Sequence, residues 1–156
     1  MSKTKIPLAE AEQLADVFLR EAKEKGVERI QICGSIRRRE SVVGDLDVVV
    51  EGDLGRLCSL GLMQEGGTER ITLIYHGVQV NVFRSVPEEW GAAIFYTTGP
   101  ASYQIGFRMK AKRLKWLLNQ HGLFDRDGKK LAGETEEGIY AAFGKEWKAP
   151  ERRGKK

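Results

Sequence analysis

Apolar residues recur three and four apart from Leu8 through Ala11, Leu14, Ala15 and Phe18 to Ala22. That spacing predicts a helix over 7–25, with Pro7 in its first turn and Gly26 just past its end. A short apolar run at 29–33 and a valine run at 46–51 predict strands. Leu54, Leu57, Cys58 and Leu60 fit a short helix that Gly61 breaks. Ile71, Leu73 and Tyr75 alternate before His76-Gly77, and Val78, Val80 and Val82 alternate after it. This is the pattern of a β-hairpin over 71–83, with His76 in the turn. It puts Gln79, Asn81 and Phe83 on the face opposite those valines. Beyond it the pattern predicts a short helix over 87–95 and a sharp break at 96–100. A long basic helix over 102–120 follows, with His121 at its end. A turn at Asp127-Gly128 and a last helix over 135–143 complete the series. The charged residues 151–156 read as a frayed tail.

The 156 residues suit one ordinary domain or two very small ones. No stretch is long and apolar enough to span a bilayer, and MSKTKIPLAEAEQ turns amphipathic at once, so neither a membrane span nor a signal peptide is expected. The net charge of +4 is a mild basic excess that is compatible with nucleic acid. Cys33 and Cys58 lack metal-ligand spacing. They suggest a reducing, cytoplasmic compartment, with Cys33 a buried small hydrophobe. Trp90 and Trp116 read as packing residues.

Residues 34–50, GSIRRRESVVGDLDVVV, carry the candidate chemistry. Asp45 and Asp47 are two apart on a strand, so both carboxylates share one face while Leu46 and Val48 take the other. Side-by-side carboxylates repel, and a cation between them relieves this. Hard oxygen ligands suit Mg²⁺, which usually completes its shell with substrate phosphates. The Gly34-Ser35 turn offers backbone N–H groups and a hydroxyl to such phosphates. Together these point to nucleotidyl transfer. The bland readings are a strand end meeting solvent for Asp45 and Asp47, a solvated run for Arg37 to Arg39, and an exposed face for the basic helix.

The same segment resembles the palm signature of family X DNA polymerases. FYTTGPASYQIGFRMKAKRLKWLLNQHGLF resembles the start of that family's thumb, and ETEEGIYAAFG with WKAPERR is similar to its C-terminal end. TGPASY and LNQHGLF are closest in kind to the short viral members, built of palm and thumb only. With only about thirty residues ahead of the palm motif, no lyase or fingers module is expected. The resemblance implies an α+β fold: a palm over 1–96 with a mixed or antiparallel sheet and flanking helices, a small mostly helical thumb over 97–150, and a disordered basic tail over 151–156. It implies that Asp45 and Asp47 bind metal, and that Gly34, Ser35, Arg38 and Gly44 hold the incoming triphosphate. Tyr96 and Gly99 would lie by the incoming nucleotide, and Gln104 and Arg108 would face the nascent pair and the template. Arg108, Lys110, Lys112 and Arg113 would contact DNA. Gly99-Pro100 stands where the family has a cis peptide.

The departure is Asn81, where the family has a third catalytic, metal-binding aspartate. An asparagine can offer one carbonyl oxygen to a cation but cannot act as a base. It is either a substitution that traps a substrate complex or native to a chain that works weakly or only binds. The implied cofactors are two Mg²⁺ ions, with Mn²⁺ able to substitute. The implied partners are gapped or nicked primer–template DNA and a dNTP, for a monomer of phage or viral character. A template-independent nucleotidyltransferase and a catalytically silent DNA-end or nucleotide-binding module stand as alternatives.

Overall fold

The computed structural model describes residues 5–155. Met1 to Thr4 and Lys156, parts of the expected palm start and tail, lie outside them. The chain divides into two compact units between Ser85 and Val86, rather than after Tyr96. Ala92 and Phe95, which precede the expected boundary, belong to the core of the second unit. No helix among the described residues is long and apolar enough to cross a membrane.

The first unit begins with a two-residue strand β1 (Ile6–Pro7) and helix α1 (Leu8–Glu24), then β2 (Arg29–Ile32) and the one-turn helix α2 (Gly34–Arg37). β3 (Val42–Val43) pairs with β1, and β4 (Asp45–Glu51) follows. A 3₁₀ segment (Leu54–Leu60) leads to β5 (Leu62–Glu65), β6 (Arg70–Tyr75) and β7 (Val78–Ser85). β5 escaped the sequence pattern because a bulge between Met63 and Glu65 interrupts its alternation. The hairpin turn uses His76 and Gly77, both at positive φ (50° and 81°), as a type I′ turn demands.

Five strands form one sheet in the order β2-β4-β7-β6-β5. Only β4 and β7 run parallel. Period-2 alternation sends Leu46, Val48 and Val50 with Ile71, Leu73, Tyr75, Val80 and Val82 to one side, where Ala15, Phe18 and Ala22 of α1 cover them. Each side chain of this size contributes about 1.5–3 kcal/mol on burial. Tyr75 meets Phe18 edge to face, with ring centroids 5.1 Å apart, and its hydroxyl donates to Glu21 Oε1 at 2.8 Å. The other side of β4, β6 and β7 carries Asp45, Asp47, Thr72, Gln79 and Asn81 beside Val49, Ile74 and Phe83.

The second unit holds α3 (Trp90–Thr98), α4 (Ala101–Arg113), a three-stranded antiparallel sheet of β8 (Leu117–Asn119), β9 (Gly122–Phe124) and β10 (Lys130–Ala132), and α5 (Glu136–Ala142). Three expectations change here. Residues 96–98 are helical, and the break falls at Gly99-Pro100, a cis peptide. The long basic helix stops at Arg113. Lys115 takes a positive φ of 61°, its N–H bonds Lys112 O, and the Trp116 N–H reaches back to Ala111 O at 2.8 Å. That is a Schellman stop with a lysine where glycine is usual, so no breaker residue announces it. Residues 117–119 then become a strand, so that a small sheet joins the helices that make up most of the unit's regular structure. His121 sits in the β8–β9 turn, not at a helix end, with its Nδ1 2.7 Å from Glu89 Oε1.

The expected frayed tail is instead ordered through Lys155 and locks the unit. Arg153 is 1 % exposed and makes a bidentate pair with Glu136, Nη1 to Oε2 at 2.9 Å and Nη2 to Oε1 at 3.2 Å. Its Nε donates to Lys148 O at 2.9 Å, and the guanidinium lies 5.5–5.6 Å from the rings of Phe95, Tyr140 and Trp147. Trp147 Nε1 donates to the same carboxylate. Around it, Phe95, Phe107, Tyr140 and Phe143 pack edge to face. Gly91 lets α3 rest on the backbone of Thr135, since a Cβ there would stand 2.2 Å from its carbonyl carbon.

Removing one partner of a buried ion pair strands the other charge. Arg153→Met should therefore cost the second unit about 3–5 kcal/mol, while Glu136→Gln with Arg153→Met recovers part of it. Urea unfolding followed by tryptophan fluorescence checks this, because all three tryptophans lie in that unit. Burial, then the hydrogen bond to Glu21, pushes the Tyr75 phenol well above its usual range. Burial, then the bond with Tyr103, does the same for Tyr140. These raised values stabilise the fold fully below about pH 10, where unfolded tyrosines keep their protons, and the contribution is lost as pH rises beyond it. In a phenolate absorbance titration the two rings should ionise only with unfolding, and Tyr75→Phe and Tyr140→Phe should each remove one such step.

Candidate active site

β2 ends beside β4, where the Cys33 N–H donates to Asp47 O at 2.7 Å. The chain then turns at Gly34 with φ +59° into α2. A Cβ at Gly34 would stand 2.3 Å from Asp47 Oδ2. Only glycine suits this place, both for its backbone angle and for the acid directly against it. Ser35 is half-buried, and its carbonyl accepts the Glu40 N–H at 3.0 Å. Arg38 is mostly buried, its Nε 3.6 Å from Glu40 Oε1, whereas Arg39 is exposed and 3.7 Å from Glu12. Gly44, half-buried, leads into β4. The Gly-Ser turn and the acids thus belong to one local structure.

The parallel register aligns Asp45 with Gln79 and Asp47 with Asn81, and Thr72 of β6 stands beside Asn81. All five lie on the polar face. Asn81 is 5 % exposed and uses every hydrogen-bonding capacity it has. Its Nδ2 donates to Asp47 Oδ1 at 3.0 Å and Asp45 Oδ2 at 3.4 Å. Its Oδ1 accepts from Gln79 Nε2 at 2.9 Å and from Thr72 Oγ1 at 3.2 Å. With no cation between the acids, the Asn81 carbonyl oxygen faces Thr72 and Gln79 rather than the carboxylates. A lone pair aimed at two anions would repel them, so the NH₂ group faces the carboxylates and carries the donors they need.

This arrangement decides how far the residues fit a divalent cation. Asp45 and Asp47 form a hard oxygen pair of the kind Mg²⁺ takes with substrate phosphates. Among the described residues no group of three or more His, Cys, Asp or Glu could hold a metal ion. An amide nitrogen bearing two hydrogens is not a ligand. The donor set thus fits a cation held by the two aspartates. As oriented, Asn81 adds no third oxygen.

The remaining expected residues lie in the second unit. Tyr96 is exposed on the last turn of α3, and Gly99 is buried at the cis peptide. Gln104 does not face outward. It is 5 % exposed and its Nε2 donates to Phe95 O at 2.7 Å, so it tethers α4 to α3. The basic residues of α4 do not form one stripe. Arg108 and Lys112, four apart, share one exposed flank, while Lys110 lies about 160° from Arg108 around the helix. Lys110 lines a cavity of about 410 Å³ with Tyr103, Gly106, Phe107 and Lys145. Lys145 and Lys148 stand over the rings of Phe107 and Tyr103. Thr72 and Gln79, which bond Asn81, are signalled in the sequence only through strand register.

Comparison with known proteins adds two findings. The model of the DNA polymerase beta thumb matches residues 93–154. The chain is 29 % identical over 140 residues to "Repair DNA polymerase X" of African swine fever virus, isolate Pig/Kenya/KEN-50/1950, covering 80 % of each chain. It is equally similar to the protein of the same name from strain Badajoz 1971 Vero-adapted, and 26 % identical to that of isolate Warthog/Namibia/Wart80/1980, again over 80 % of each.

Asn81→Asp replaces the bridging donor with a third anion. Without divalent cation it should destabilise the first unit by about 1–3 kcal/mol at neutral pH. Mg²⁺ should restore the variant and move the Asn81 chain less, as thermal melting with and without chelator would show.

Proposed function

From its kinship with the family X DNA polymerases, we propose that this chain is a DNA-directed DNA polymerase of the repair type, adding a deoxynucleotide to a primer 3′-hydroxyl at a gap or nick. One observation carries the reading. Parallel pairing of β4 with β7 brings Asp45, Asp47 and position 81 onto one face, against the Gly34-Ser35 turn.

Polymerases of this family generally use divalent metals, which when bound neutralise charge on the reacting phosphates. Asp45 and Asp47 would hold such an ion. The backbone of Gly34 and Ser35, with the Ser35 hydroxyl, Arg38 and Gly44, would cradle the triphosphate. Arg108 and Lys112 would take DNA phosphates, which position the duplex without reading its sequence. Position 81 should accept or orient the proton of the primer hydroxyl, and an amide already donating to two carboxylates cannot do so. Nucleotide binding should survive that defect better than turnover does. A complete two-cation arrangement calls for a third carboxylate there.

The saturated Asn81 network also favours a second reading, a module that binds nucleotide and DNA ends without turnover. Gap filling by the present chain and by Asn81→Asp separates them. We expect the restored carboxylate to raise single-nucleotide incorporation about 10²-fold or more. Incorporation by neither chain would overturn the polymerase reading.

A further inference from the structure

Thr72 and Gln79 belong to no expected ligand set, yet both spend a hydrogen-bond donor on the same atom. Asn81 Oδ1 receives Thr72 Oγ1 at 3.2 Å and Gln79 Nε2 at 2.9 Å. Both flank it by construction, Thr72 as its cross-strand partner on β6 and Gln79 two residues away on β7. The opposite end of the amide bridges Asp45 and Asp47. We infer that Thr72 and Gln79 are positioning residues that pin the Asn81 amide with its N–H groups in the place of a cation, and that they thereby set the affinity of the aspartate pair for divalent metal. The inference rests on the reading of this pocket as a cation site.

The physics is a competition. A cation between Asp45 and Asp47 must displace the bridging N–H groups or turn the amide over. Turning it takes Oδ1 away from two donors in a buried place, where unmatched polar atoms are costly. The two donors therefore hold the site in its metal-free arrangement. With aspartate at position 81 their effect reverses. One carboxylate oxygen would keep the bonds from Thr72 and Gln79, and the other would be held toward the metal, as outer-sphere partners commonly do for a ligand.

Thr72→Val and Gln79→Met remove the donors at nearly constant shape. The measurement is Mn²⁺ binding by electron paramagnetic resonance, on the full chain without DNA or nucleotide, with melting curves to verify folding. In the Asn81 chain each substitution should tighten Mn²⁺ binding about threefold to tenfold, the equivalent of one net hydrogen bond. In the Asn81→Asp background each should weaken it by a similar factor. A residue that merely supports the sheet would shift both backgrounds the same way. A common direction, or changes under about twofold in both, would overturn the inference. Gln79 is half-buried on the polar face, so Gln79→Met gives the answer even if Thr72→Val fails to fold. Because no primer is extended, failure of gap filling leaves this result standing, and failure here leaves gap filling intact.

Discussion

Two like charges on one strand face set the terms for everything around them. Asp45 and Asp47 cannot approach each other on β4 unless a neighbour supplies positive density. The neighbour is chosen by strand order. β7 lies beside β4 and parallel to it, so position 81 falls level with Asp47 whatever residue occupies it. An amide there meets the need with two partial charges instead of a whole one. The same crowding explains Gly34, since any side chain would press on Asp47 Oδ2. The turn, the acids and the bridging amide answer one electrostatic demand.

The second unit solves a different problem. It is small, and its helices leave little aliphatic surface to bury. Aromatic rings packed edge to face make its core, and a buried guanidinium lies against three of them. Burying a charge is costly, and here the cost is offset by a bidentate carboxylate and a backbone carbonyl that together occupy Nε, Nη1 and Nη2. Replacing such a pair with well-packed apolar residues is often neutral or stabilising, whereas removing one partner strands the other charge.

The alternation of Leu46, Val48 and Val50, and of Val78, Val80 and Val82, made the sheet and its two faces readable, and with them the shared face of Asp45 and Asp47. The His76-Gly77 turn was equally plain. What sequence hid was context. Lys115 stops a helix in a conformation that lysine rarely takes, so nothing at that position signals an end. Gln104 sits in a basic helix and looks like a surface residue, yet the carbonyl of Phe95 draws it inward. The last six residues, five of them charged, look frayed because no local pattern shows that Glu136, seventeen residues before Arg153, is its partner. The direction of the Asn81 amide was out of reach for the same reason. It depends on donors from two strands, and residue type alone leaves both orientations open.

The guanidinium at 153 also fixes an order of events during synthesis. The sheet of the first unit has all its strands once Ser85 has left the ribosome. The buried pair of the second unit cannot form until residue 153 emerges, because only then does the carboxylate at 136 meet its guanidinium. A nascent chain of this sequence therefore carries the complete set of strands of its first unit ahead of a second unit that still lacks its buried ion pair.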